Sequence, residues 1–218
     1  MSKKSPTKER LLKAACEVFA EKGFRDATVA EICEAAGANI AAINYHFGDK
    51  ETLYDEVWHC AFSLAIETYP LDGGLPENPG IEDYLHSYAS AFLHRIFSED
   101  KSGLFAKLLY REMASPTLAL KKIATDYLIP QSQHMAAVIE NMLGSDFNEH
   151  TLALCKHSII GQCAFYNFSR PLRELMIGQK TMPEEEIDRI ARHIARFSLG
   201  GLQEIQKTIP RRDAEDTE

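Results

Sequence analysis

The sequence predicts an all-α fold: an N-terminal three-helix domain with a helix-turn-helix, plus a larger C-terminal helical domain. Apolar residues recur at helical spacing in nearly every segment, and several segments carry helix-capping residues at their ends. No stretch alternates with the period of two that marks a strand. These observations exclude a sheet-based fold.

The first helix of the predicted helix-turn-helix has a clear start and stop. Thr28 and Glu31 have the spacing of a capping box, in which each side chain accepts a backbone hydrogen bond from the other residue. This box opens a helix over Val29–Ala36. Gly37 ends it, because a left-handed residue after a helix is least costly for glycine.

The second helix follows at once and is also bounded. Asn39 is a good N-cap for a helix over Ile40–Phe47, and Gly48 closes it. At about 100° per residue, Ile40, Ile43 and Phe47 fall on one side and are expected to pack on the first helix. Two short helices joined by a glycine turn are typical of a helix-turn-helix.

The opposite side of the second helix has small and polar residues suited to a DNA groove. Asn44 can pair with adenine, the methyl groups of Ala41 and Ala42 can touch thymine, and Tyr45 and His46 can donate to phosphates. Ile40 is either a core residue or a thymine contact. The full set of predicted DNA contacts is Thr28, Asn39, Ile40, Ala41, Ala42, Asn44, Tyr45, His46 and Lys50. The alternative is a helical hairpin that only packs, with Tyr45 half-buried.

Other helices are predicted on both sides of this pair. Ser5 caps and Pro6 begins a helix that runs to Lys22 and stops at Gly23. A connecting helix spans residues 50–68, and the Pro- and Gly-rich stretch Pro70–Gly80 is a linker. Further helices are predicted over residues 81–98, 103–114, 117–142, 149–168 and 184–207, with a short piece up to residue 178 and a break or kink at Pro130.

Charge is distributed unevenly along the chain. The net charge is −8, yet residues 1–25 carry seven Lys or Arg against three Glu, so the rest of the chain is strongly acidic. A basic end on an acidic body suits a protein that presents that end to a polyanion.

Cysteine use and the absence of motifs exclude several other classes. The five cysteines are odd in number and lack a CxxC pair, which favours thiols in a reducing cytoplasm. Cys155 and Cys163 remain a possible redox pair, although their spacing is too wide to bridge along a straight helix. No apolar leader or membrane-length run appears, and no catalytic or metal-binding motif occurs, so we expect no enzyme, metal or cofactor.

The segment from Ser5 to Tyr54 resembles the N-terminal domain of the TetR family of transcriptional regulators. The matching stretches are ERLLKAACEVFAEKGF, TVAEICEAAG and INYHF followed by GDKETLY. ANIAAINYHF and the later LLYREMASP and SIIGQCAFY are similar to the CecR-type branch. Where the family often has Gly-Thr-Leu-Tyr, this chain has Ala41-Ala42-Ile43-Asn44, so the DNA sequence it reads cannot be taken from a relative.

The resemblance implies a domain division and an assembly. Residues 1–50 would form the DNA-binding domain, 69–210 a ligand-binding and dimerisation domain, and 211–218 a disordered tail. Heptad-like spacing in the last helix and the long helix before it gives either a core or a two-fold interface with a second copy, and the family favours the interface. The predicted interface residues are Leu152, Ile159, Ile187, Ala191, Ile194, Ser198, Gly201 and Ile205.

The resemblance also implies a small-molecule effector site between residues 81 and 178. Aromatic residues with a few polar groups line such pockets, although they equally build a helical core. The residues predicted to line it are Phe92, Phe105, Leu108, Arg111, His134, Gln162 and Phe165.

The function expected from all of this is that of a ligand-responsive repressor. A homodimer would bind a palindromic operator in double-stranded DNA and leave it when an effector binds. The alternative is a helical scaffold or protein-interaction module without operator binding.

Overall fold

The computed structural model describes residues 5–144, 148–178 and 182–208, and the regular structure in these ranges is helical. The helices are α1 Pro6–Asp26, α2 Val29–Ala36, α3 Ile40–Phe47, α4 Lys50–Thr68, α5 Ile81–Phe97, α6 Leu104–Ala114, α7 Ala119–Ile123, α8 Ile129–Leu143, α9 Glu149–Phe168, α10 Arg170–Ile177 and α11 Glu184–Thr208. A 3-10 turn, Lys101–Gly103, precedes α6. The all-α prediction is confirmed. The tail 211–218 lies outside the described residues.

The chain folds into two compact units. The first unit comprises Met1–Thr68 and Ser98–Tyr127, and the second unit comprises Tyr69–Phe97 and Leu128–Glu218. The chain first passes from one unit to the other after residue 68. Residues 98–127, which were predicted in the second domain, pack instead with the first unit, because α6 returns against α1 and α4. A division based on linkers alone cannot detect such a return.

Aromatic rings fill the core of the first unit. Trp58 of α4 is buried and meets Phe105 edge-on, with ring centroids 5.6 Å apart. Phe19 of α1 meets Tyr54 of α4 at 4.8 Å. These contacts bind α1, α4 and α6 into one core, because aromatic side chains bury large apolar areas.

Glycine and proline mark two breaks in the helices. Gly23 has a φ of 77° inside α1, which bends that helix near the predicted stop. The predicted helix 117–142 is interrupted: α7 ends at Ile123, a π-helical turn covers Ala124–Leu128, and α8 carries Pro130 in its first turn. Proline cannot supply an interior helical N–H, and the change from the π-helical turn to α8 falls just before Pro130.

The core of the second unit lies between α5, α8, α9 and α11. Its apolar residues, Leu85, Tyr88, Met135, Ile139, Leu152, Cys155, Ile159, Ala195 and Leu202, form one buried cluster. The contacts of α11 with α5 are the most extensive between helices in the described chain.

The residues at heptad-like spacing on α9 and α11, predicted as a dimer interface, pack within one chain. Leu152 and Ile159 belong to this cluster, and Ile205 packs against it. Ile187, Ala191, Ile194 and Ser198 are also buried within the chain. Packing within one chain therefore accounts for these residues, and their predicted contact with a second copy stays a prediction. The spacing of 4 and 3 residues is the same for a helix that packs on α5 and for one that packs on a partner chain. Gly201 is exposed.

Within the described part of the chain, no helix combines the length and the apolar character that a membrane crossing needs.

Candidate DNA-binding surface and effector unit

The capping box at the start of α2 forms as predicted. The Glu31 backbone N–H donates to Thr28 Oγ1 at 3.2 Å, and the Thr28 backbone N–H donates to Glu31 Oε2 at 2.9 Å. Lys22 Nζ donates to Glu31 Oε1 at 2.7 Å, which ties α1 to α2. The hydrogen bond from Lys22, followed by those from Thr28, lowers the pKa of Glu31 from 4.5 to about 2.

The second helix of the motif is fixed at both ends. Asn39 Oδ1 accepts the Ala42 N–H at 3.0 Å, and the Gly48 N–H donates back to the carbonyls of Ile43 and Asn44. Gly37, between the two helices, is left-handed with φ 58° and ψ 45°. The turn therefore sets the direction of α3 through backbone geometry.

One side of α3 is sealed and the other faces solvent. Ile43 and Phe47 are buried as predicted, but Ile40 is 53% exposed and belongs to the outer side. The Tyr45 side chain is 84% exposed. Ala41 and Asn44 are exposed beside it. We call the exposed residues Asn39, Ile40, Ala41, Asn44 and Tyr45 the outer face of α3.

The flanking predicted contacts are partly engaged inside the protein. The exposed Thr28 hydroxyl donates to Glu31 Oε2 at 2.9 Å, and His46 is half-buried with its ring edge-on to Tyr45. Lys50 Nζ lies 4.5 Å from the centroid of the Phe24 ring, a cation–π contact that holds it beside α1.

A buried carboxylate that the sequence did not reveal holds α4 to the end of α6. Glu112 is buried and accepts three hydrogen bonds: from the Tyr54 hydroxyl at 2.9 Å, from the Thr117 N–H at 2.7 Å and from the Thr117 hydroxyl at 2.8 Å. Arg25, at the end of α1, donates to the Pro116 carbonyl at 3.0 Å in the same turn. Helical spacing could not reveal Glu112, because Tyr54 lies 58 residues away in the sequence.

The seven predicted effector contacts do not lie in one unit. Phe105, Leu108 and Arg111 belong to the first unit, while the other four, Phe92, His134, Gln162 and Phe165, belong to the second. Phe105 and Leu108 are buried in the core, so their apolar character is explained by packing. Arg111 is exposed at the surface.

The four in the second unit also serve different purposes. Phe92 packs against the core cluster, and Gln162 donates to Ser198 Oγ at 3.1 Å, which links α9 to α11. His134 and Phe165 are exposed.

Arg95 is the buried charged residue of the second unit that the prediction missed. Its guanidinium donates to the Tyr69 carbonyl and to Gln131 Oε1, and only 5% of the residue is exposed. Burial lowers the pKa of Arg95 to about 10. No carboxylate among the described residues forms an ion pair with it. The residues of the described ranges also hold no cluster of three or more side chains suited to a metal ion.

A helix-turn-helix with a capped, outward-facing second helix defines a DNA-binding protein. The profile of the bacterial regulatory proteins of the tetR family matches residues 11–57, and that of the HTH-type transcriptional dual regulator CecR, C-terminal domain, matches residues 81–202. The chain therefore belongs to the TetR family of transcriptional regulators, with a C-terminal domain of the CecR type.

A curated regulator is similar to the chain in sequence, and two solved structures share its fold. The chain is 29% identical to the HTH-type transcriptional dual regulator CecR of Shigella flexneri over 84% of this chain and 85% of that protein. The fold is similar to that of the fatty acid degradation regulator FadR from Bacillus halodurans, with a TM-score of 0.67 at 16% identity, covering 93% of this chain and 99% of the other. A TetR-like transcriptional regulator from Rhodococcus sp. RHA1 has a TM-score of 0.65 at 15% identity, covering 92% of this chain and 100% of the other.

Proposed function

We propose that this regulator is a homodimeric repressor that binds a palindromic operator and is released from it by a small-molecule effector. The observation that carries the proposal is the outer face of α3, which is exposed on a helix whose inner face is locked in the core. An 84% exposed tyrosine beside an exposed asparagine has no packing role to explain it.

The outer face contains groups for both base and backbone contacts. Asn44 can pair with an adenine edge, and the methyl group of Ala41 suits a thymine methyl. The Tyr45 hydroxyl is a phosphate donor, and the positive end of the α2 helix dipole next to Thr28 favours an anion. Base contacts thus come from α3 and backbone contacts from its surroundings.

We assign the contact with a second copy to the exposed sides of α9 and α11. On α9, Leu154, Gly161, Phe165 and Phe168 are exposed at helical spacing, and Phe165 is 61% exposed. Phe197 of α11 is 67% exposed. Large apolar side chains and a glycine on one helical face mark an interaction surface, and operator palindromy requires a two-fold dimer.

Release by an effector follows from linkage between two sites. The effector site is assigned to the second unit, where the buried Arg95 donates to the half-buried Gln131 beside an apolar core. An effector that binds better when α4 is tilted changes the separation of the two α3 helices from about 34 Å, one turn of DNA. By reciprocity, operator DNA must weaken effector binding by the same factor.

Selection of bound sequences from a random DNA pool tests the proposal. We expect a palindrome whose half-site centres are about one helical turn apart, bound in a salt-sensitive way. Enrichment of no sequence, or binding that is equal for all sequences, would favour the scaffold alternative. Screening small molecules for release of the selected duplex then identifies the effector.

A further inference from the structure

A cleft in the first unit brings two thiols together. It has a volume of about 480 Å³ and lies between α1, α4 and the start of α6. Its lining includes Leu12, Cys16, Cys60, Leu64, Lys101 and Leu104. Cys16 comes from α1 and Cys60 from α4, so the two thiols belong to different helices that pack on each other.

The two thiols are in contact and differ in exposure. The Cys16 thiol hydrogen-bonds to the Cys60 thiol, and this bond, followed by burial, raises the pKa of Cys16. Cys16 is only 5% exposed, whereas Cys60 is exposed. The neighbouring residues Ala15 and Ala61 are buried and small, which lets the two helices approach closely.

We propose that Cys16 and Cys60 form an oxidation site, at which a hydroperoxide converts the two thiols into a disulfide joining α1 to α4. The exposed Cys60 thiolate attacks one peroxide oxygen, the O–O bond breaks, and Cys60 becomes a sulfenic acid while hydroxide (or alkoxide) leaves. The Cys16 sulfur then attacks the Cys60 sulfur, the S–O bond breaks, and the sulfenic oxygen leaves as water with the proton from Cys16. In total the thiols lose two electrons and the peroxide gains them.

The other cysteines lack this arrangement. Cys155 and Cys163 are both buried and stand two turns apart on α9, about 12 Å along its axis. Burial raises the pKa of Cys163 to about 12. Cys155 and Cys163, the redox pair considered from the sequence, are thus buried and separated. The pair in contact, Cys16 and Cys60, lies far apart in the sequence.

A disulfide at this site would act on the DNA-binding helices. The chain between Cys16 and Cys60 contains all of α2 and α3, so the new bond closes a covalent ring around the helix-turn-helix. This consequence rests on the proposed function. Because the bond restricts movement of α1 against α4, we expect oxidised protein to bind the selected operator at least about fivefold more weakly, the lower end of typical couplings between sites.

The test uses the full-length reduced protein treated with hydrogen peroxide. After free thiols are blocked with N-ethylmaleimide, peptide mass spectrometry is expected to find a Cys16–Cys60 cross-link that dithiothreitol reverses. Cys16→Ser should leave a Cys60 sulfenic acid that dimedone traps, and Cys60→Ser should leave Cys16 reduced. Cys33→Ser, at another buried cysteine of the first unit, is the matched control and should not alter the cross-link.

Two results separate the site from its consequence. Cross-linking of Cys60 only to a second copy, or full alkylation of Cys16 after peroxide, overturns the oxidation site whatever the protein does with DNA. A Cys16–Cys60 cross-link that leaves operator affinity, measured by fluorescence anisotropy, within twofold of the reduced protein overturns the effect on DNA binding.

Discussion

Tyr45 is the residue whose surroundings bear most directly on DNA recognition. Its side chain is 84% exposed and touches the His46 ring, so removal of the side chain leaves the core of the first unit intact. We expect Tyr45→Ala to weaken operator binding about tenfold, or about 1.4 kcal/mol, with an unchanged melting temperature. Fluorescence anisotropy and thermal denaturation measure the two quantities.

Tyr110 supplies the control for that change. It is a 44% exposed tyrosine on α6 of the same unit, so Tyr110→Ala removes an equal side chain outside the helix-turn-helix. Operator affinity should be unaffected. Equal losses in both variants would mean that α3 is not the recognition helix.

Glu31 gives a prediction about pH. Lys22 and Thr28 lower the pKa of Glu31 to about 2 from its ordinary 4.5. The folded state thus favours the charged carboxylate, so its stabilising contribution is fully present above pH 4.5 and is lost as the pH falls toward 2. Lys22→Met should raise the Glu31 pKa toward the ordinary value, as followed by NMR titration of the side-chain carboxyl.

Asp49 serves as the internal reference in the same spectra. The Thr52 N–H lowers the pKa of Asp49, and Lys22 takes no part in that interaction. Its titration should be the same in both proteins. A Glu31 pKa that stays near 2 without Lys22 would leave Thr28 as the sufficient cause.

At the level of single residues, local pattern and long-range contact differ in how well the sequence predicts them. Helical periodicity correctly assigned Ile43 and Phe47 to the inner side of α3 and Tyr45 to the outer side. It left Ile40 open between the core and a thymine contact, and the structure exposes that residue. Glu112 could not be predicted as a buried acceptor, because its partner Tyr54 lies on another helix.

Among the elements, the turn between α2 and α3 depends on one backbone conformation. Gly37 is left-handed, and a Cβ added there would meet nothing within 4 Å. Any loss of stability caused by Gly37→Ala therefore arises from the backbone conformation alone. We expect the free energy of unfolding to fall by about 1 kcal/mol. Denaturant unfolding followed by circular dichroism measures it.

Asparagine at the same position provides the comparison. Asn enters the left-handed region several times more readily than most residues, so Gly37→Asn should cost clearly less than Gly37→Ala despite its larger side chain. The reverse order would show that space, and not conformation, limits this position.

Helix ends were predictable wherever a local chemical signal marks them. The bounds of α2 and α3 follow from Thr28, Gly37, Asn39 and Gly48 and match the structure. The helix bounds within the segment 117–142 were harder to predict. Its apolar spacing continues through the π-helical turn Ala124–Leu128, and the extra residue per turn leaves no mark in composition.

For the whole molecule, the main prediction concerns assembly. Phe165→Glu places a charge on the exposed apolar face of α9 and is expected to convert dimers into monomers, because a carboxylate would lose its hydration in an apolar interface. Sedimentation velocity measures the change, and operator affinity should fall with it.

Ala137→Glu is the matched variant on an exposed position of α8, outside the proposed contact. It should remain dimeric. A Phe165→Glu protein that sediments as a dimer would remove the α9 face from the interface.

For the whole molecule, the sequence predicted the family fold. It did not predict which helix faces pack into the core of their own chain. The 4 and 3 residue spacing of Ile187, Ala191 and Ile194 suits a partner helix from any chain, and here α5 of the same chain takes that place. Whether a helix face packs on its own chain or on a second copy depends on the positions of all the helices together. The apolar spacing within one helix does not contain that information.

The division into units has a practical consequence for anyone who transplants the DNA-binding portion onto another protein. The polypeptide passes from one unit to the other after residues 68, 97 and 127, so an excised segment ending at Thr68 would omit α6. Trp58 would then lose Phe105, and the Tyr54 hydroxyl would lose Glu112. A chimera that keeps Ser98–Tyr127, joined to residue 68 by a short artificial loop, is the smallest graft that retains its own interior.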